Sequence, residues 1–365
     1  MKGISGLKKS LTGYLGWDKR RIECFSQMLL GLFAVRTVNL QELAISFASE
    51  AKVGSRYRRI QRFFAQFEID YVKLARWVYK LFVKEGAKVY VIIDRTNWYI
   101  GKKKVNIFLL AVGYEGLAIP LFWRLLDKAG NSNFAEQKGL IGAFIEVFGS
   151  GCIAGLLADR EFGSGALFKW LNSQRIPFYI RIKEGSMGCI RKKKYLTVKK
   201  LFRHLKVREQ MTFGMGLWVY GQPVYLTGSR SERGELMIVA SNQPDKQAVS
   251  VYLRRWEIES LFQSLKGRGF RFEETHLTQP ERIKKLMGVL AIGFAWAHKV
   301  GEWLAVKKPI LFKQHKQQQR PQYSYFRYGF DFIRAWLFNP YAKTAQFSFC
   351  CKLLIPSSLS LEGTS

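Results

Sequence analysis

Residues 88–126 read KVYVIIDRTNWYIGKKKVNIFLLAVGYEGLAIPLFWRLL. Three short runs rich in β-branched and aromatic residues, KVYVIID (88–94), KVNIFLLAVGY (104–114) and LAIPLFWRLL (117–126), are separated by turn signals at Gly101 and at Glu115-Gly116. That spacing predicts three consecutive strands in a meander. The period then changes to that of a helix from Asn133 to Phe148, an apolar strand IAGLLAD (153–159), a helix beginning near Ser164 and a strand PFYIRIK (177–183). Three strands, a helix, then strand, helix, strand predict an α/β fold, a mixed sheet flanked by helices.

On the N-terminal side, residues 1–85 read as a helical domain. Leu40 to Ser49 has helical apolar spacing, Gly54 interrupts it, and Ser55 is placed to cap a helix through RYRRIQRFFAQF (56–67). Either this basic helix reads DNA after a tight turn, or its arginines (Arg56, Arg58, Arg59, Arg62) only solvate one face of a bundle. On the C-terminal side, residues 184–247 carry the basic tract IRKKKYLTVKK and alternating stretches such as LWVYGQPVYLTG and GELMIVASN, the marks of a β-rich insertion. From residue 248 a helix returns in VSVYLRRWEIESLFQSLK (249–266), followed by an apolar helix from about Leu286 to Val306 and a basic region from 307 to 365. The expected core is thus in two parts, 86–183 and 248–306, split by the insertion.

Lys and Arg number 59 and Asp and Glu 27, so 59 − 27 gives a net charge of +32, which calls for a polyanionic partner. The longest uncharged apolar runs, Val147 to Ala158 and Leu286 to Ala297, are about 12 residues long, short of the roughly 20 that span a bilayer. No membrane segment and no secretory signal are expected. The five cysteines are scattered without a C-x-x-C pair, which fits a reducing compartment, and the four histidines have no zinc-site spacing. Any metal should therefore be held by carboxylates.

Asp94 and Asp159 each follow an apolar strand, VIID and LLAD. At the C-terminal ends of adjacent strands they would face one crevice, although each could equally cap the turn that follows it. In the 249–266 helix Tyr252, Arg255, Glu259 and Lys266 fall within an arc of roughly 60° at about 100° per residue, opposite Ile258, Leu261 and Leu265. A solvated salt-bridged face is the alternative. Three hard carboxylates, Asp94, Asp159 and Glu259, are the donor set that one or two divalent ions need for in-line phosphoryl transfer. No nucleophilic triad or phosphate-binding Gly-Lys-Thr loop competes with that reading.

The run Tyr252-x2-Arg255-x3-Glu259-x6-Lys266 resembles the Y-(2)-R-(3)-E-(6)-K signature of the insertion sequence four family of bacterial DDE transposases. D-R-T-N-W at 94–98 and D-R-E-F at 159–162 are similar to that family's two Asp motifs, and the likeness extends over about 88–280 with a weaker echo in FRYGFDFIR. The resemblance implies an RNase H-like domain in which Asp94, Asp159 and Glu259 bind Mg²⁺, or Mn²⁺, and act as a DNA transposase, an endonuclease and strand-transfer enzyme. It implies that Tyr252, Arg255 and Lys266 grip phosphates of double-stranded DNA, at terminal inverted repeats and target, within a homodimer. It implies also a bacterial cytoplasmic setting, at the nucleoid. Trp218, in the insertion, is either a platform for a flipped base or a core tryptophan of a small sheet. Position 163 is Gly where some relatives carry an acid, which leaves Glu161 as an auxiliary group. Arg56 and Arg59 join the DNA-binding set on charge and placement alone. Two other functions stay open: a nuclease of the same fold that does not join ends, and a DNA-binding protein without catalysis.

Overall fold

The computed structural model describes residues 2–190, 194–214, 217–315, 318–339 and 344–356, so part of the basic tract of the insertion lies outside the described residues. Five helices come first: α1 (Lys2–Leu15), α2 (Lys19–Val35), α3 (Leu40–Ser46), α4 (Val53–Gln66) and α5 (Tyr71–Phe82). Asp18, Asn39 and Asp70 cap α2, α3 and α5 by accepting backbone N–H bonds, the usual employment of a short acid or amide at that position. The expected cap at Ser55 is not there. Helix α4 begins at Val53 and includes Gly54, with Lys52 at the N-cap and no side-chain capping bond. The turn before it is held instead by Arg56, whose guanidinium donates to the carbonyls of Ala51 (2.7 Å), Ser49 (2.7 Å) and Phe47 (3.0 Å).

The sheet begins with β1 (Val89–Ile100), β2 (Lys103–Tyr114) and β3 (Leu117–Leu126), then α6 (Phe134–Phe148), β4 (Ile153–Ala158), α7 (Gly165–Ser173) and β5 (Phe178–Ile182). The β2–β3 turn falls on Glu115 and Gly116 with φ of 45° and 82°, the two positive values that a two-residue hairpin turn requires. Asn133 and Glu136 form a reciprocal capping box at α6, and Ser164 caps α7. Strand β1 pairs in parallel with β4, and β4 with β5, while β2 and β3 are antiparallel. The expected end of β1 at Asp94 is corrected: the strand runs on to Ile100, and what ends beside Asp94 is the parallel pairing, whose last partners are Ile93 and Ala158.

The insertion contributes β6 (Met187–Ile190), β7 (Lys194–Thr197), β8 (Gln210–Phe213), β9 (Leu217–Val219), β10 (Gln222–Pro223), β11 (Tyr225–Arg230) and β12 (Leu236–Ser241). Four of these make a small sheet in the order β10-β9-β6-β7, and the other three extend the main sheet to eight strands, β3-β2-β1-β4-β5-β12-β11-β8. The main-sheet addition is antiparallel throughout, starting from β12 against β5.

The helix expected over 249–266 is broken. Helix α8 (Ala248–Leu253) passes into a single 3₁₀ turn at Arg254–Trp256, and α9 (Glu257–Leu265) follows, ending before Lys266. The tightened turn lets neighbouring arginines take different acids, Arg254 pairing with Glu257 at 3.0 Å and Arg255 with Asp94 at 2.8 Å. The long α10 (Pro280–Lys307), the pair β13 (Phe312–His315) and β14 (Gln318–Pro321), α11 (Tyr325–Phe338) and α12 (Thr344–Lys352) complete the chain. No single helix among the described residues is long and apolar enough to cross a membrane.

Two compact units emerge, one of 84–97 with 106–261, the other of 1–83, 98–105 and 262–365. The first is the sheet unit, with Ile92, Ile93, Phe108, Leu157 and Ile180 wholly buried in its core. In the second, the N-terminal and C-terminal segments share a core: α10 crosses α11 where Gly301 and Gly329 meet, and a Cβ on Gly329 would stand 1.9 Å from the Ala297 carbonyl oxygen. Glycine is what permits that approach.

Candidate active site

Asp94 and Asp159 sit one residue beyond the Ile93–Ala158 pair, where the parallel pairing of β1 and β4 ends. Each carboxylate turns one oxygen to the backbone N–H that follows it, Asp94 to Arg95 and Asp159 to Arg160, both at 2.7 Å. For Asp94 this is not a turn cap, since β1 continues to Ile100, and it leaves the other oxygen of Asp94 to the crevice. Arg255 reaches that oxygen, Nη1 donating to Asp94 Oδ2 at 2.8 Å, while Nη2 stands 3.6 Å from Glu259 Oε1. The Tyr252 hydroxyl donates to Asp159 Oδ1 at 3.3 Å.

Arg255 thus links the first and third acids of the site. Its side chain is only 7% exposed and Asp94 only 13%, whereas Glu259 is 40% exposed. Burial pushes the Asp94 carboxyl up, and although Arg255 and the Arg95 N–H pull it back, it stands at about 6 against an ordinary 3.8. Burial pulls the Arg255 guanidinium down, but Asp94, Tyr252 and Asp159 outweigh that and leave it raised. The Tyr252 phenol is raised, first by burial.

A second layer, of which the sequence singled out only Glu161, as an auxiliary group, locks the two Asp motifs together. Arg95 grips Glu161 with two bonds, Nε to Oε1 at 3.2 Å and Nη2 to Oε2 at 3.0 Å. The same guanidinium donates to Asn106 at 3.2 Å and Asn131 at 3.0 Å, and Asn106 in turn holds the Lys128 and Gly130 carbonyls. The fork geometry of Arg suits such a hub. The available signal was the repetition of D-R, with the acid two residues after the second Asp supplying the counter-charge.

The remaining candidates fall elsewhere. Lys266 lies in the other unit, its Nζ 5.5 Å over the ring of buried Trp98. Trp218 stands on β9 of the small sheet, half-buried, paired across to Cys189. Arg56, expected on charge to face DNA, is committed to the carbonyls before α4. Arg59 donates to the Arg20 carbonyl at 2.9 Å and lines a cavity of about 910 Å³ with Lys19, Arg20, Arg21 and Arg62, against the single acid Asp18.

Chemically the three acids are hard oxygen donors of the kind Mg²⁺ or Mn²⁺ takes. Among the described residues no three His, Cys, Asp or Glu side chains are close enough together to hold an ion, and the Arg255 guanidinium supplies the cationic charge between Asp94 and Glu259. Asp94, Asp159 and Glu259 have the oxygen chemistry such an ion takes, but this structure does not bring them together as a ligand set.

Acids just past the end of the parallel β1–β4 pairing, overhung by an arginine and a tyrosine from a broken helix, have the chemistry suited to phosphoryl transfer on an α/β sheet. The transposase DDE domain family matches residues 86–294, more than half of the chain, and the chain belongs to that family: it is a DNA transposase, and DNA is its partner. Among solved structures, the piggyBac transposase synaptic complex with hairpin DNA, seen by cryo-electron microscopy, has a TM-score of 0.49 and 12% identity, over 97% of this chain and 83% of that one. The comparison with curated proteins found no match.

Proposed function

We propose that this transposase cuts and joins insertion-sequence ends by a cut-and-paste route, with Asp94, Asp159 and Glu259 as its catalytic acids. The observation that carries the reading is the pair of carboxylates at the neighbouring ends of the β1–β4 pairing, with Arg255 spanning from Asp94 to Glu259. The order β3-β2-β1-β4-β5, with β2 and β3 antiparallel and β1, β4 and β5 parallel, supports an RNase H-like core. A divalent ion bound by these acids, Mg²⁺ by preference, would activate the attacking water or 3′-hydroxyl and stabilise the leaving oxygen. The chain's own residues do the rest. The Arg95 and Arg160 N–H groups fix how Asp94 and Asp159 turn, and the Arg95–Glu161 lock sets the distance between the motifs. On release from Asp94, Arg255 becomes free to meet a DNA phosphate, which it can grip with two bonds. Tyr252 and Lys266 are assigned to phosphates with it.

The cluster of Lys19, Arg20, Arg59 and Arg62 supports a role for the N-terminal helices in holding DNA ends, and Trp218 is assigned to stacking on a displaced base. Because two ends must be cut together, the active assembly is taken to be a homodimer, working on DNA in a bacterial cytoplasm. Pre-cleaved ends carrying a 3′-hydroxyl, incubated with a target plasmid and Mg²⁺, test the reading. Wild type should give joined products and Glu259→Gln should bind the ends without cutting or joining them. Cleavage without any joined product would make the protein a nuclease instead.

A further inference from the structure

The α3–α4 corner and the segment leading into α10 enclose a second cavity, of about 220 Å³, wholly inside the unit of the N-terminal and C-terminal segments. Four carboxamides line it: Asn39, whose oxygen accepts from the Gln41 N–H and leaves its NH₂ to the cavity, and Gln41, both at the start of α3, Gln61 on α4 and Gln279 just before α10. Tyr57, four residues before Gln61 and so on the same face of α4, adds a phenol, and Arg282, in the first turn of α10, adds a guanidinium. Arg282 Nε is buried and has no hydrogen-bond partner among the described residues. A buried donor without an acceptor is rare enough in native structures to need a reason, and Gln279 at the N-cap provides α10 with no side-chain capping bond. The walls are fixed in advance: Lys103 Nζ donates to the Thr278 carbonyl at 3.1 Å, and Arg56 clamps the corner before α4.

An apolar ligand would have no use for four carboxamides, and a bare anion none for their acceptor oxygens. A carboxamide donates and accepts at once, which matches the edge of a nucleobase, and a guanidinium matches a phosphate. The space equals roughly seven water molecules at about 30 Å³ each, too little for a duplex. We propose that this cavity takes one unstacked nucleotide of the DNA, with the base edge on the carboxamides and the phosphate on Arg282. A nucleotide enters such a pocket only when it has left the stack. The proposal rests on DNA being the partner and not on the carboxylate site.

Calorimetric titration of the full chain with each of the four deoxynucleoside 5′-monophosphates, and separately with inorganic phosphate, tests it. At least one nucleotide should bind, with phosphate weaker by about tenfold or more. Arg282→Ala and Gln61→Ala should each weaken that nucleotide by about tenfold. Gln61 is exposed on α4, so its truncation leaves the fold intact, and circular dichroism checks both variants. Binding should persist in EDTA, which separates this site from any metal chemistry at Asp94 and Asp159. Absence of heat with all four nucleotides, equal affinity for phosphate and nucleotide, or binding unaffected by both variants would each overturn the proposal.

Discussion

Arg255 is the residue on which the site turns, because it is buried and holds the one Asp94 oxygen that the backbone does not. Removing it leaves a largely buried carboxylate without its partner, a change that costs about 3 kcal/mol or more. Arg255→Ala should therefore lower stability in urea at pH 7 by about that amount, whereas Asp94→Asn combined with it should recover part of the loss. Asp94 also makes stability depend on pH. Between its unfolded value near 3.8 and its folded value of about 6, the folded chain keeps a proton that the unfolded chain has released. The stabilisation this gives is complete below about pH 4 and is lost as pH rises through about 6. Wild type should lose up to about 3 kcal/mol relative to Asp94→Asn between pH 4 and pH 7; equal pH slopes for the two proteins would show that Asp94 is not perturbed. Glu161 acts one step back, through Arg95. Glu161→Gln keeps the shape but weakens a charge-assisted pair, so DNA cleavage should fall about tenfold with end affinity unchanged, as single-turnover cleavage beside a binding titration would reveal.

At the scale of elements, the sites where sequence patterns failed have physical causes. Continuous apolar and β-branched runs marked β2, β3 and β4 because those strands are buried along most of their length, and Asn133 and Ser164 marked helix starts because they cap them. The end of β1 was illegible because a strand can leave one partner and keep another: past Ile93 it no longer pairs with β4 yet continues to Ile100. The 249–266 helix has unbroken helical spacing, and its 3₁₀ turn answers to acids distant in sequence, Asp94 above all. Periodicity placed Lys266 on the arc of Tyr252, Arg255 and Glu259, whereas α9 ends at Leu265 and Lys266 belongs to the other unit. Arg56 was read from its charge, while its hydrogen bonds go to carbonyls that no pattern announces. Arg56→Lys should lower stability by about 2 kcal/mol in chemical denaturation, since an ammonium cannot fan across several carbonyls as a guanidinium does. The α10–α11 crossing is as restrictive: Gly329→Ala should cost about 3 kcal/mol or prevent folding, because its Cβ would meet backbone and not a movable side chain.

For the whole molecule, a net charge of +32 makes salt the strongest external control on DNA affinity. Lys19, Arg20 and Arg62 are exposed at one cavity, and replacing all three with Gln should reduce the slope of log affinity against log salt by about 3, near 1 for each phosphate no longer neutralised. An unchanged slope would place the DNA elsewhere. The same excess of cations gives the few acids in the crevice their meaning. Arg255 pairs with Asp94 and Glu259, and the proposed function requires that it yield these acids to a divalent cation. Titration of Mn²⁺ followed by electron paramagnetic resonance, on the full chain with end DNA bound, tests this most directly. Wild type should sequester the ion, and Asp94→Asn, Asp159→Asn and Glu259→Gln should each weaken that binding by about tenfold or more. Mn²⁺ binding by all three variants with wild-type affinity would contradict the account.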